Sequence, residues 1–198
     1  YAARHGVALT RAKCNADFEK LSIAGGDVVL ARPMSYMNRS GYPLRQLMTF
    51  FKIAIDNIVV LYYDMDLPLG RMMLRNGGSH GGHNGLRSII AQLGEREFKR
   101  VRLGIGRPPP GGAVDHVLNG FTDDESAAVE TMRAQALDAL DAIAREGWVK
   151  TVNSFNSRRK PREPDNPTNS DPDGGAPTDS TPAATASPAA PLPPTTTS

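Results

Sequence analysis

The segment Asn76-Gly-Gly-Ser-His-Gly-Gly-His-Asn-Gly-Leu-Arg-Ser-Ile-Ile90 joins a glycine-rich loop to the start of a helix. Glycine adopts positive φ angles and lets the backbone approach a ligand closely. The spacing of one apolar helix face is found at Leu86, Ile89, Ile90 and Leu93. The start of such a helix presents unpaired N–H groups and a partial positive charge, which suit an anion or a carbonyl group. The loop is therefore predicted to bind a ligand, with His83 and Asn84 as polar contacts.

Composition restricts the class of protein. The chain has 198 residues, 39% of them hydrophobic, and a formal net charge of +2, which suits one globular domain with length left over. The single cysteine, Cys14, excludes an internal disulfide framework. No apolar run reaches the roughly 18 residues of a membrane helix, and no signal or transit sequence opens the chain. A cytoplasmic protein without a membrane partner is predicted.

Hydrophobic patterns before the loop predict two strands, a helix and a further strand. Residues 18–24 and 27–32 form the strands of a hairpin around a Gly-Gly turn. An amphipathic helix with Ser40 as its N-cap is predicted by the spacing of Leu44, Leu47, Met48 and Phe51. Residues 58–63 are a continuous apolar run, which is typical of a strand that is covered on both faces and lies centrally in a sheet.

Strands are also predicted at residues 71–74 and 101–106, and a capping box at Thr122-Asp-Asp-Glu125 opens a helix that runs to Gly147. This alternation predicts an α/β fold: a single domain, residues 1–157, with a mixed, mostly parallel central sheet flanked by helices. Residues 158–198 are rich in Pro, Thr, Ser and Ala and nearly lack large apolar residues, so they are predicted to be a disordered tail.

Three groups of polar residues leave alternatives open. His80 and His83 are spaced like metal ligands, but the chain offers few other ligands, so no metal site is predicted. Asp64 and Asp66 are either an acid/base pair or turn residues, and their setting favours the turn. Five basic residues form either a phosphate-facing patch or a solvated strand edge: Arg96, Lys99, Arg100, Arg102 and Arg107.

Four motifs resemble, in order and spacing, the bacterial-type peptidyl-tRNA hydrolase family. They are Ser35-Tyr-Met-Asn-Arg-Ser-Gly41, Asp66-Leu-Pro-Leu-Gly70, Gly81-Gly-His-Asn-Gly-Leu86 and Arg102-Leu-Gly-Ile-Gly106. The resemblance covers roughly residues 1–157. It implies a monomeric α/β enzyme that recycles tRNA by hydrolysing the ester between a peptide and the 3′ end of tRNA. The implied partner is the acceptor end of peptidyl-tRNA, and no metal or cofactor is implied.

The resemblance also implies roles for single residues. Tyr36 matches an aromatic residue that lines the substrate site, and Asn38 matches an amide that holds the peptidyl part. Asn84 matches an amide that binds the tRNA end, with His83 beside it in a supporting role. The basic residues expected to hold tRNA phosphates are Lys99, Arg100 and Arg102.

The chain departs from the family pattern at the general base. The family's catalytic histidine lies in a Thr-Arg-His-Asn segment that follows an N-terminal strand and a Gly-Asn-Pro-Gly turn, and this sequence has no such segment. His5 is closer to Asn38 than that histidine would be, by roughly four helical turns, and Tyr1 to Gly6 instead fits the end of the family's first helix. The chain is therefore expected to lack that strand, most of that helix and the general base, as a truncated or inactive form.

A second departure concerns the family's acidic residue on the central strand, whose place is taken by Tyr63. Successive side chains of a strand point to opposite faces, so the adjacent Asp64 is expected to point away from the site. Substrate discrimination or histidine orientation should change as a result. The alternative function is that of a non-catalytic RNA-binding relative, of the organellar splicing-factor type.

Overall fold

A computed structural model describes residues 1–157, so the tail predicted at residues 158–198 lies outside the described part. The described strands are β1 (Arg11–Lys13), β2 (Ala16–Ile23), β3 (Gly26–Pro33), β4 (Val59–Asp64), β5 (Met72–Asn76) and β6 (Lys99–Gly104). The described α-helices are α1 (Gly41–Phe51), α2 (Asn84–Leu93), α3 (Ala113–Leu118), α4 (Asp123–Glu146) and α5 (Trp148–Ser157). Single 3₁₀ turns lie at Ala3–His5, Met37–Arg39 and Ile55–Asn57. The predicted α/β class with flanking helices is confirmed.

The strands of the described part form two three-stranded sheets, which corrects the expectation of one mostly parallel sheet. β1, β2 and β3 form an antiparallel meander that includes the predicted hairpin. The second sheet has the order β4-β6-β5, in which β4 and β6 are parallel and β5 and β6 are antiparallel. Residues 65–71 alone connect β4 to β5, whereas a parallel return needs a dozen or more residues. Alternation of strands and helices therefore left the strand directions open.

The central strand of the second sheet is β6, and β4 lies at its edge, which corrects the central position predicted for residues 58–63. Both faces of β4 are nevertheless partly covered, although Leu61 is 47% exposed. Val59 packs against the cluster of β5, β6, α4 and α5, while Val60 and Tyr62 pack against the cluster around α2. An apolar run thus reports contact on both faces but does not report the position of a strand within its sheet.

The core of residues 1–157 contains three hydrophobic clusters. On one face of the second sheet, the buried residues are Met72, Leu74, Val101, Met132, Ala136 and Ala139. On the other face, α2 contributes Leu86 and Ile89, which pack with Phe98. The meander packs on α1 through Ala16, Phe18 and Leu47. The second sheet therefore lies between α4 and α5 on one side and α2 on the other.

The observed ends of α1 and α4 lie where the sequence predicts them. α4 carries the predicted capping box of Thr122 and Glu125 and stops before Gly147. α1 begins after Ser40 as predicted, but the Ser40 hydroxyl donates to the Met37 carbonyl at 2.8 Å instead of capping the helix. The backbone of Ser40 is already helical, which turns its side chain away from the amides that it would cap. No helix within residues 1–157 combines the length and the apolar character needed to cross a membrane.

Helices α1 and α2 lie close together at Gly41 and Ser88. The backbone N–H of Gly41 donates to Ser88 Oγ at 3.0 Å. A Cβ atom on Gly41 would lie only 2.3 Å from the Ser88 carbonyl oxygen. A residue without a side chain is therefore required at this crossing, which holds the turn Met37–Arg39 beside the first turn of α2.

The N-terminal turn is bound to α4 through the carboxylate of Asp141, which is 5% exposed. Asp141 accepts a hydrogen bond from Tyr1 Oη at 2.9 Å and contacts His5 Nε2 at 3.0 Å and Arg4 Nε at 3.2 Å. Burial alone would raise the pKa of this carboxyl, but the hydrogen bonds from Tyr1 and His5 and the charge of Arg4 lower the pKa of Asp141 below its usual value. The folded protein therefore favours the ionised form.

Asp141→Asn is expected to lower the free energy of unfolding by about 2 kcal/mol at pH 7, because the protein loses hydrogen bonds to a charged group. The ionised carboxylate stabilises the fold above its unfolded-state pKa of about 4, and this contribution disappears as the pH falls through the lower folded-state value. Urea unfolding of both proteins at pH 7 and in the acid range measures the difference, which should shrink at low pH. The more exposed Asp138 supplies the matched control, Asp138→Asn. An equal loss for Asp141→Asn at both pH values would contradict the assignment.

Candidate functional site

A cavity of about 410 Å³ lies at the carboxyl end of β4, between the glycine-rich loop and α3. Of the eight residues named as site candidates from the sequence, five line this cavity: Tyr63, His83, Asn84, Arg100 and Arg102. The loop therefore borders a concave site, as a ligand-binding role requires.

His83 lies in the wall of the cavity as the N-cap residue of α2. Its Nδ1 accepts the backbone N–H of Leu86 at 3.2 Å, so the proton of the neutral ring is on Nε2. Nε2 is buried and has no hydrogen-bond partner in the part of the chain that the structure describes. Burial lowers the pKa of His83, although the nearby Asp64 opposes the effect. His83 is therefore a neutral ring that can donate a proton in a hydrogen bond and has no free lone pair.

His83 is closely packed between two tyrosine rings and the backbone of Gly85. The ring centroids of Tyr62 and Tyr63 lie 5.2 Å and 4.5 Å from that of His83. A Cβ atom on Gly85 would lie 2.8 Å from His83 Cε1 and 2.7 Å from Met37 Sδ. Gly85 thus allows the first turn of α2 to contact both the imidazole and the turn before α1.

Asp64 lines the cavity, which corrects the expectation that it points away from the site. Its Oδ2 accepts from Arg102 Nε at 2.6 Å, and its Oδ1 accepts the backbone N–H of Asp66 at 2.8 Å. Asp64 shares a strand face with Tyr62, and this face is the one that α2 and the loop cover. Tyr63, on the opposite face, lines the cavity as well, because the cavity lies at the carboxyl end of β4, so alternation did not separate the side chains that reach it from those that do not.

Arg100 is 2% exposed, which corrects the expectation of a side chain on a phosphate-facing surface. Its guanidinium donates to the carbonyl oxygens of Ser79 at 2.8 Å, Gly78 at 2.6 Å and Arg96 at 3.0 Å. The group also lies 4.4 Å from the centroid of the Phe98 ring. Arg100 therefore holds the backbone of the glycine-rich loop in place from the interior of the protein.

The other two predicted phosphate-binding residues are also engaged within the protein. Arg102 is paired with Asp64 and donates to Met73 Sδ at 3.6 Å. Lys99 lies at the opposite end of β6, where its Nζ donates to the carbonyl oxygen of Asp56. Strand alternation separates Lys99 from the face that carries Arg100 and Arg102, so the three do not form a single exposed patch.

Tyr36 and Asn38 lie outside the His83 cavity. Tyr36 is 83% exposed and lines a second cavity, of about 670 Å³, together with Arg39 and Tyr42. Asn38 is exposed on the turn Met37–Arg39, between the two cavities, and lines neither of them. Met37 does line the His83 cavity. This turn is therefore a wall shared by the two cavities.

Sequence reasoning missed the apolar wall that α3 supplies. Val114, Val117 and Leu118 line the cavity, and Val114 and Leu118 are among the exposed large hydrophobic residues. Their i, i+3, i+4 spacing is a helical signal, but no helix was predicted between the strand at residues 101–106 and the capping box at Thr122. The wall offers an apolar surface beside the polar groups of the loop.

Most polar groups in the cavity are hydrogen-bond donors, and the carboxylates there are paired with arginines. The carboxylates of Asp64 and Asp66 are paired with Arg102 and Arg107. Burial raises the pKa of Tyr63, so its hydroxyl stays protonated at neutral pH. His83 and the amide of Asn84 at the start of α2 supply further donors. Residues 1–157 contain no group of three or more His, Cys, Asp or Glu side chains arranged to hold a metal ion.

Comparison with known proteins supports a family assignment. A family model described as peptidyl-tRNA hydrolase matches residues 1–163. The chain is 44% identical over 152 residues to the peptidyl-tRNA hydrolase of Geobacillus kaustophilus, covering 76% of this chain and 82% of that protein. A relative of the same name from Chloroflexus aurantiacus is 44% identical over 148 residues, covering 74% and 79%. The crystal structure of the peptidyl-tRNA hydrolase of Acinetobacter baumannii superposes with a TM-score of 0.73 at 33% identity, covering 79% of this chain and 80% of that one. The chain belongs to the peptidyl-tRNA hydrolase family.

Proposed function

We propose that this protein acts on peptidyl-tRNA, whose 3′-terminal ester is bound in the His83 cavity. In the reaction, water adds to the ester carbonyl and the carbon–oxygen bond to the ribose breaks, which releases the peptide as a carboxylic acid and the tRNA with a free hydroxyl. The observation that carries the proposal is the position of Asn84. It is an exposed amide at the first residue of α2, and it borders a cavity that also has a neutral histidine and an apolar wall.

The cavity fits the demands of ester hydrolysis. The carbonyl oxygen gains negative charge as water adds, and preorganised donors stabilise that charge. The donors available at the cavity are the Asn84 amide and the N–H groups at the start of α2. The apolar wall of Val114, Val117 and Leu118 suits the side chain of the amino acid joined to the ribose. Asn38, which is exposed on the shared turn beside the cavity, holds the peptidyl part in this proposal.

The basic residues take different roles in this proposal. Arg100 acts on the substrate through the loop that it supports, because its Nη1 and Nη2 atoms donate to the loop carbonyl groups of Ser79 and Gly78. Arg102 borders the cavity but shares its charge with Asp64, and Lys99 lies at the far end of β6. We infer that the protein works as a cytoplasmic monomer on the acceptor end of tRNA.

Asn84→Ala is expected to weaken binding of a peptidyl-adenosine analogue by about 1–3 kcal/mol, because a buried polar group of the ligand loses its partner. The analogue carries an amide in place of the ester, so it is not hydrolysed and its binding can be measured by calorimetry. The dependence of tRNA binding on salt should stay nearly unchanged, since no charge is removed. Asn153→Ala, at an exposed position on α5, is the matched control. Equal affinities of Asn84→Ala and the control for the analogue would remove Asn84 from the site.

A further inference from the structure

Helix α1 and the turn before it expose a row of aromatic and basic side chains that the proposed reaction does not use. We call this row the α1 face and define it by Tyr36, Arg39, Tyr42, Arg45, Gln46 and Phe50. Tyr36, Tyr42 and Phe50 are 83%, 49% and 50% exposed. The cavity beside Tyr36 adjoins another of about 480 Å³, and the two share Tyr42 and Gln46. The α1 face is therefore a continuous concave surface.

The charged side chains of the α1 face are all basic. Residues 34–53 contain Arg39, Arg45 and Lys52 and no aspartate or glutamate. The residues lining the two cavities of the α1 face likewise include no acidic side chain. Among the ion pairs found within residues 1–157, none involves Arg39 or Arg45. These cations contrast with Arg102, whose charge Asp64 neutralises.

Cations already lie against the rings of the α1 face. The Arg39 guanidinium is 6.0 Å from the centroid of Tyr42, and Lys13 Nζ is 3.8 Å from the centroid of Phe50. The groove beside Tyr36 is also lined by Ser35, whose Oγ is buried without a hydrogen-bond partner in the described part of the chain. Rings and cations thus lie side by side along the surface.

The α1 face begins next to the proposed reaction site. Tyr36 lines the first groove of the α1 face, and the following residue, Met37, lines the His83 cavity. α1 has 11 residues, so at about 1.5 Å per residue the row extends roughly 16 Å from the shared turn. A polymer whose end occupies the His83 cavity can therefore continue onto this surface.

We propose that the α1 face binds the unpaired nucleotides that precede the terminal adenosine of tRNA. Single-stranded nucleic acid is held by exposed aromatic rings on which bases stack and by cations that contact the phosphates, and the α1 face supplies both. A peptide gains nothing general from an acid-free basic surface, because its side chains carry charges of either sign. The inference rests on the proposed function, which places the 3′ end of tRNA in the neighbouring cavity.

The test uses a fluorescein-labelled ribotrinucleotide of sequence CCA, whose binding is followed by anisotropy at several salt concentrations. Tyr42→Ala should weaken binding about five-fold to a hundred-fold through the loss of stacking, and Tyr42→Phe, which keeps the ring, should restore it. Arg39→Ala should reduce the salt slope by about 0.7, because one phosphate of the trinucleotide is no longer neutralised. Phe121→Ala, at a ring that is 47% exposed away from the α1 face, and Arg133→Ala are the matched controls.

Two results would overturn the proposal. The first is equal affinity of the trinucleotide for Tyr42→Ala and Phe121→Ala. The second is displacement of the trinucleotide from the α1 face by an uncharged acetylated tetrapeptide, which would assign the surface to the peptide. The amide-linked peptidyl-adenosine separates this inference from the proposed function, because it has no preceding nucleotides. It should bind to Tyr42→Ala as it does to the unmodified chain, and its failure to bind the unmodified chain would contradict the proposed function instead.

Discussion

Hydrolysis of an N-acetylated aminoacyl-tRNA by this chain is expected to be about 100- to 10,000-fold slower than hydrolysis by the Geobacillus kaustophilus relative, because neither histidine of the described cavity presents a free lone pair and both carboxylates are paired with arginines. His83 and His80 each use Nδ1 to accept a backbone N–H, from Leu86 at 3.2 Å and from Gly82 at 3.0 Å. The proton of each neutral ring is therefore on Nε2, where it can be donated but leaves no lone pair for water. Asp64 and Asp66 are held by arginines.

Release of the labelled amino acid from the tRNA under single-turnover conditions measures this deficit. Imidazole added to the solution should raise the rate in proportion to its concentration, because it supplies the missing proton acceptor to an otherwise assembled site. A rate equal to that of the relative without imidazole would show that a base is present after all. Binding with no response to imidazole would favour the alternative of a non-catalytic RNA-binding relative, with which Tyr63 is compatible.

Gly41→Ala is expected to lower the free energy of unfolding by about 3 kcal/mol, because the added methyl group has no room. Its Cβ would lie 2.3 Å from the carbonyl oxygen of Ser88, and backbone atoms of a helix cannot move aside as a flexible side chain can. Helices α1 and α2 would have to separate, which would also move the shared turn from the start of α2. Urea unfolding measures the stability, and binding of the peptidyl-adenosine analogue reports the geometry.

Gly26→Ala is the matched control for Gly41→Ala. A Cβ atom at Gly26 would lie 3.6 Å from the carbonyl oxygen of Ile23, which is an ordinary contact. This substitution should leave stability nearly unchanged or raise it slightly, since alanine restricts the unfolded chain more than glycine does. Equal stabilities of the two variants would mean that the helices can slide apart at little cost, and that their crossing does not fix the site.

Local features of the fold could be predicted from the sequence because each depends on residues close together in the chain. The hairpin of β2 and β3 is defined by alternation on both sides of one turn, and the capping box of Thr122 and Glu125 needs only a spacing of three. The order and direction of the second sheet depend on contacts between distant segments. Nothing in residues 58–63 distinguishes a covered edge strand from a central one.

The candidate site, too, could be predicted from the sequence only where it depends on residues close together in the chain. The glycine-rich loop was identified from its composition, and His83 and Asn84 do border a cavity. The three basic residues of β6 do not form the single exposed patch that was one of the two alternatives, because they have different surroundings on one strand. Arg100 is buried to hold the loop, Arg102 is neutralised, and Lys99 is distant. Exposure depends on which elements cover a strand, and a list of neighbouring basic residues does not contain that information.

The shared turn Met37–Arg39 has a thermodynamic consequence for a two-part ligand. Consecutive residues, Tyr36 and Met37, line different cavities, and the Ser40 hydroxyl ties this turn to the start of α1. Any ligand that displaces the turn in one cavity therefore changes the shape of the other. Linkage makes that effect reciprocal, so the factor by which a bound nucleotide changes peptide affinity equals the factor by which the peptide changes nucleotide affinity. For a ligand that displaces the turn, occupancy of the two cavities would therefore be coupled, with a sign set by the direction of that displacement.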